Sequence, residues 1–402
     1  MTEKPEPTWQ IVALDDYNLP AAPTADAATR GAAHLWRIIR GGRPASESPE
    51  KSDEELKTFP DAQLDRLAPP IDWQPAAEAL RTRLEGWLGK QRQSARIRFF
   101  IGPPFGGRAE ILRLLADQQG WPVVEPPSAE RILARDEDWI STLSQLEQPW
   151  VLPDLERCYL RHAEGLGLVR SFFKRAFSDT LGVGLIGCDS WAWSFLRKVW
   201  PVPPCEILTL QAFDSQRLKP FFRELAVLSG LGCLRFRESH KGKDLLPTPG
   251  PEEEASAESR FLTQLAAQSR GIPGVARMYW RSSLRAEPDD KLEDPTTSPT
   301  GEANPRRPSV WLNASLREPT LPADSGTEIA FVLHGLLLHS GLPEDLLERL
   351  LPLPNESVTS ALLRLKAAGL VDRHEREWRV SALGYPVVRQ FLKSNGYLVD
   401  SF

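Results

Sequence analysis

From about residue 75 to 240 the chain alternates between two hydrophobic periods. PAAEALRTRLEGWLGKQR has apolar residues at helical spacing, and its Glu85 sits four or five residues from two basic residues. ARIRFFIG is a short apolar run ending in glycine, as a buried strand does. RAEILRLLADQQG predicts a helix ended by Gly120, and WPVVE a short strand after it. SAERILARDEDWISTLSQL predicts a helix, PWVLPDLE a strand, and GLGLVRSFFKRAFSDT a long helix. LGVGLIGCD, SWAWSFLRKVW, EILTL and DSQRLKPFFRELAVLSG continue the alternation as strand, helix, strand and helix. Such an order predicts an α/β domain, its mostly parallel sheet covered on both faces.

Residues 1–74 read differently, rich in Pro, Ala, Ser and acids, and predict a mostly disordered tail. One island within it, ATRGAAHLWRIIRGGR, puts Leu35, Trp36 and Ile39 on one helical face, with Arg30, Arg37, Arg40 and Arg43 around them. That pattern suits a docking helix for a partner or an anionic surface, and equally a transient helix in a tail. KGKDLLPTPGPEEEASAES is a loop by composition. Residues 256–285 predict two helices around a Gly-Ile-Pro-Gly break, and 286–325 a flexible linker. From 326 to 402 the pattern gives a helix, a second from Pro343, and a third capped by Asn355 and ended by Gly369. LVDRHEREWRVS then alternates like a two-strand wing, and ALGYPVVRQFLKSNG closes as a helix. Three helices, a β-ribbon and a further helix predict a winged helix-turn-helix.

At 402 residues the chain has room for two or three domains, and 41% hydrophobic with 26% charged residues is ordinary for a globular protein. Its 36 prolines are about 9% of the chain, which fits the tail and linker. A net charge of −5 gives no global basic field, so nucleic acid or anionic lipid would have to meet a local patch. There is neither a signal-peptide pattern nor an apolar run of about 18 residues. Cys158, Cys188, Cys205 and Cys233 form no C-x-x-C pair, and reduced thiols in a cytoplasmic protein are expected. The six histidines lack metal spacing, His334 and His339 reading as core or edge residues, and no metal site is expected.

The candidate chemistry starts at Gly102-Pro103-Pro104-Phe105-Gly106-Gly107-Arg108-Ala109, between a strand and a helix. This is the context of a phosphate-binding P-loop, G-x-x-x-x-G-K-[ST], with both glycines in place. Backbone N–H groups at a helix start can cradle phosphate oxygens through Gly102, Gly106 and Gly107. Arg108 replaces the lysine and Ala109 replaces the hydroxyl that holds Mg²⁺. Arginine keeps a charge in a poorly matched fork, but alanine keeps no metal ligand, so hydrolysis should be slow or absent. PWVLPDLERCYLRHAEGL supplies Asp154 at the metal-facing strand end and Glu156 one place beyond the usual position of a water-polarising carboxylate. LGVGLIGCD offers Cys188, Asp189 and Ser190 at a strand tip, where a polar side chain would sense a γ-phosphate. SRGIPGVARMYW places Arg277 on a lid-like helix, and Arg197 is the one candidate for an arginine finger.

In order and spacing, GPPFGGRAE, WVLPDLERCYLRHAEGL, LGVGLIGCD, GIPGVAR and the terminal winged helix resemble the AAA+ ATPases, in particular the transposition-ATPase and Orc1/Cdc6 branch. The resemblance covers roughly residues 78–402. It implies a three-layer P-loop sheet with a small helical lid, and ATP or ADP bound between subunits of an oligomer. Gly102, Gly107 and Arg108 would surround the phosphates, Asp154 the metal position, and Arg277 would reach in from the lid. With Ala109 at the hydroxyl position, Mg²⁺ should not be held tightly.

The candidate DNA or partner surface comprises Asn355, Arg364 and Lys366 on the recognition helix, with Arg373, Arg376 and Arg379 on the wing. Over 326–402, eight Lys/Arg face nine Asp/Glu, which leaves little phosphate neutralisation for DNA and favours a protein partner. SWAWSFLRKVW is apolar on more than one face, which marks either an oligomer or partner contact or a doubly buried helix. The expectation is a degenerate AAA+-like regulatory or adaptor protein with weak or structural nucleotide binding. The alternatives are an active ATPase and a DNA-binding regulator.

Overall fold

The computed structural model describes residues 7–21, 56–88, 96–203, 205–228, 234–239, 242, 244–247, 259–286, 309–313 and 315–402. The island at 28–43 lies outside the described residues, as does Cys233. Among those described, the strands are β1 (Ile11–Ala13), β2 (Lys57–Thr58), β3 (Ile97–Gly102), β4 (Trp150–Leu152), β5 (Gly184–Asp189) and β6 (Ile207–Leu210). They continue as β7 (Arg235–Glu238), β8 (Leu284–Ala286), β9 (Ser309–Leu312), β10 (Leu342–Pro343), β11 (Val371–His374) and β12 (Glu377–Val380).

The main sheet runs β1-β6-β3-β5-β4, and all its pairs are parallel except β1 with β6. Parallel strands are covered on both faces, so they tolerate apolar side chains throughout. β5 is buried at every position, and Phe99, Phe100 and Ile101 of β3 are at most 1% exposed. β3 sits in the middle, and its last residue, Gly102, pairs with Asp189 at the end of β5. β4 ends one strand further out, just before Asp154. The glycine loop, Asp154 and Asp189 therefore share the carboxyl edge of the sheet, where open α/β sheets bind ligands. The fold class is α/β, a mostly parallel sheet with a glycine loop at its carboxyl edge.

Several expectations are corrected here. WPVVE contributes a single bridge, Val123 to Val151, and no strand. The helix expected over 128–146 is two, Ala129–Ala134 and Asp138–Ser144, broken where Arg135 takes a left-handed conformation at φ 55°. The stretch read as a tail is partly built into the fold. β1 extends the sheet edge, Trp9 packs against Trp73, Phe213 and Phe221, and the helix Asp61–Leu67 buries Leu64 and Leu67. The stretch read as a linker supplies β9, and β8 spans the end of the stretch read as helical; both join β2 and β7 in a second sheet of order β2-β8-β9-β7. Asn355 does not cap its helix. Pro354 stands at the cap position and Asn355 is the first helical residue.

Residues 327–394 form the helices Thr327–Leu338, Glu344–Leu350, Asn355–Ala367 and Tyr385–Ser394 with a small sheet β10-β12-β11. This unit is fastened to the main domain. The helix Thr327–Leu338 is buried on all sides and packs on Ser190–Val199, where Trp191 donates to the Tyr385 hydroxyl at 3.1 Å. Trp193 on the same helix packs against Phe99. The two apolar faces of SWAWSFLRKVW are thus both covered from within the chain, which overturns the partner-contact reading of that helix.

Candidate functional site

Glycine is required at the loop for two reasons. Gly107 has φ +74°, and a Cβ there would lie 2.5 Å from the Trp73 ring. Gly106 donates to the Pro103 carbonyl at 3.0 Å, closing a tight turn ahead of the helix Arg108–Gln119. The next element covers the turn from above. Gly274, at the start of the helix Pro273–Ser283, donates to the Phe105 carbonyl at 3.1 Å, and a Cβ on Gly274 would lie 2.5 Å from that oxygen. Phe105 also meets Tyr385 edge-on at 6.1 Å. The space left, lined by Tyr17, Gly102, Gly106, Arg108, Gln211 and Ile272 among others, is about 10 Å³, one water's worth.

Arg108 does not point into that space. Its guanidinium turns back to the strand ends, donating to the Pro153 carbonyl at 3.2 Å, Asp154 Oδ1 at 3.1 Å and Glu156 Oε1 at 2.5 Å. Burial works against its charge, and Glu156, Asp154 and Asp189 outweigh burial, so the group is held firmly protonated. Glu156 is fully buried, and its other oxygen accepts the Asp189 amide at 3.0 Å. Burial raises its carboxyl above the ordinary value, against the pull of Arg108. Asp189 is buried too, accepts the Trp191 amide at 2.9 Å as the cap of its helix, and is raised well above the carboxylate range by burial and then by Glu156. Arg113 completes the cluster from the next turn of the loop helix, reaching Asp154 Oδ2 at 3.1 Å.

The structure thus brings together Gly102, Gly106, Gly107, Arg108, Asp154, Glu156 and Asp189 at the carboxyl edge of the sheet. Arg108 neutralises carboxylates where a phosphate ligand was expected. Glu156 is sealed from water, and Asp189 caps a helix. Arg277 is not part of the cluster. It donates to the carbonyls of Ala68 and Pro69 at 2.6 and 2.5 Å and ties the helix Pro273–Ser283 to the chain before Trp73. Arg197 is exposed. Sequence reasoning missed Trp73, Phe105, Arg113 and Tyr17. Trp73 and Tyr17 fall in the proline-rich stretch, and nothing in the spacing of Arg113 marked it.

The residues present do not fit a Mg²⁺-nucleotide. The two carboxylates that a metal would face already hold a cation of the chain, no hydroxyl follows Arg108, and the cavity is too small for a phosphate chain.

The β11–β12 ribbon is tied down as well. Arg157 donates to both oxygens of Glu377 at 2.8 Å. That contact, helped by Arg379, lowers the Glu377 carboxyl to about 2. His339 lies against the Glu156 carbonyl at 3.4 Å, and Arg161 reaches His334 at 3.1 Å. Burial and the Arg161 charge lower both rings to about 4. Among the surface candidates, Arg364 pairs with Asp324 at 3.8 Å, and Lys366 and Arg373 lie 5.9 and 5.6 Å from the Trp378 ring. Arg379 pairs with Glu377, and Asn355 and Arg376 are exposed.

No protein-family model and no curated protein matches the sequence. Among solved structures, similarity is found to the Thermotoga maritima RuvB Holliday junction branch migration motor, at 15% identity and a TM-score of 0.30 over 88% of this chain and 99% of that one. The Walker-type ATPase paby2304 of Pyrococcus abyssi is similar at 11% identity and a TM-score of 0.31 over 87% and 99%. Caenorhabditis elegans PCH-2 follows at 16% and 0.23 over 55% and 60%. No described helix is long and apolar enough to cross a membrane.

Proposed function

We propose that this chain is an AAA+-like regulatory or adaptor protein that has given up hydrolysis and works by presenting surfaces to protein partners. One observation carries the reading: Arg108 occupies the Asp154–Glu156 pair from within the chain. Phosphoryl transfer depends on a metal held near such carboxylates and on an ordered water. Here the carboxylates are neutralised, and the one suited to polarise water is buried. Nucleotide affinity is correspondingly weak, since the cavity is too small for a phosphate chain. The helix–strand–helix–helix–ribbon–helix order of residues 327–394 supports a winged helix, and its balanced charge favours a protein over DNA as its contact.

Phosphate release assayed with and without Mg²⁺ tests this reading, together with melting temperatures in ATP, ADP and GTP. The expected outcome is no Mg²⁺-dependent turnover and a small nucleotide shift, since a ligand raises the melting point only as far as it binds the native state. Turnover that disappears in Asp154→Ala would overturn it.

A further inference from the structure

A second cavity lies away from the glycine loop. It holds about 330 Å³, within the range of about 300–1,000 Å³ typical of binding pockets. Its apolar walls include Trp9, Ile71 and Phe221, and it opens at Val227 and Leu228, which are 68% and 57% exposed. Two carboxylates stand in the lining, Asp72 and Glu224. Glu224 accepts the Trp9 indole at 3.3 Å, and burial, followed by the charge of Asp72, raises its carboxyl. Arg223 is also in the lining, but its guanidinium reaches the Pro247 carbonyl at 2.5 Å. Such a cavity selects an occupant that is apolar on one side and cationic at its edges.

The sequence holds one segment of that chemistry outside the described residues. Residues 28–43 place Leu35, Trp36 and Ile39 among Arg30, Arg37, Arg40 and Arg43. The run containing them leaves the described chain after Ala21, twelve residues beyond Trp9, and rejoins it at Leu56, fifteen residues before Ile71. Both ends therefore join the chain close in sequence to walls of the cavity. Fully extended, the six residues 22–27 reach about 20 Å and the twelve residues 44–55 about 40 Å.

We propose that the Trp9–Phe221 cavity is the seat of the chain's own segment 28–43, with Leu35, Trp36 and Ile39 as apolar anchors and its arginines as counter-charges to Asp72 and Glu224. Hydrogen exchange followed by mass spectrometry on the full chain tests it. Amides of 30–43 should exchange at least tenfold more slowly than those of 44–55. Val227→Asp with Leu228→Asp, both at exposed positions, should remove that protection while lowering the melting temperature by only about 2 °C. Glu224→Lys should remove it too, and Arg37→Glu with Arg40→Glu should restore part of it. A segment that exchanges as fast as its flank, or stays protected in both cavity variants, overturns the proposal. Protection that grows with protein concentration also overturns it, in favour of a second copy as the occupant.

Discussion

Replacing Arg108 with methionine removes the guanidinium while keeping most of the buried stem. Glu156 would then be a fully buried carboxylate whose remaining polar contact on that side is the Asp189 amide, beside a second buried carboxyl at Asp189. Breaking one side of a buried ion pair costs about 3–5 kcal/mol. In a protein of 402 residues that lowers the melting temperature by about 4–6 °C. The pH dependence gives the sharper test. Glu156 is already raised by burial, and Arg108 is the main influence holding it down, so the variant raises it further. A carboxyl raised in the folded state contributes stability below its unfolded value, and that contribution is lost as pH rises through the folded value. The deficit of Arg108→Met should therefore be largest near pH 8 and shrink toward pH 5, and adding Glu156→Gln should recover part of it at pH 8. Thermal unfolding by circular dichroism across this range reads all three. A variant that melts with the wild type at every pH would refute the account, because an arginine serving only phosphate leaves the ligand-free protein unchanged.

Three further outcomes follow from the same geometry. His334 and His339 are lowered to about 4 from 6.5, so they favour the fold above pH 6.5 and oppose it increasingly as pH falls to about 4. At about 1.4 kcal/mol per unit, each removes up to about 3 kcal/mol, and urea midpoints at pH 7.5, 5.5 and 4.5 that stay level would contradict this. Glu377, lowered to about 2, contributes above its unfolded value of 4.5 and loses that contribution as pH falls through about 2. Glu377→Gln should cost about 1 kcal/mol at pH 7 and be coupled to Arg157→Gln in a double-mutant cycle, and additive effects would mean that the β11–β12 ribbon is held otherwise. Gly107→Ala, at φ +74° under Trp73, should destabilise by about 1–3 kcal/mol, with partial recovery in Trp73→Ala, as urea unfolding would show.

Most of the α/β domain was legible because its parallel strands are short apolar runs bounded by glycine and proline, and the loop could be placed from two glycines. The second sheet was not, because β2, β8 and β9 are two to four residues long and sit in proline-rich, charged surroundings. Their stability comes from pairing partners far away in sequence, which local periodicity cannot register. At the site, residue types were legible but their partners were not. Arg108 at the lysine position looks the same in sequence whether it faces a phosphate or folds back on Asp154 and Glu156. The doubly apolar Trp191 helix was ambiguous for a similar reason, since a covering helix from residues 327–338 and an external partner demand the same pattern.

The second sheet also bears on how the chain comes into being. Lys57 of β2 pairs with Ala286 of β8, so about 230 residues must emerge after it before its partner exists. At translation speeds of about 5–20 residues per second, that is a wait of roughly ten to fifty seconds. During that interval β2 has no strand to join, so the second sheet is completed only after most of the chain has been made.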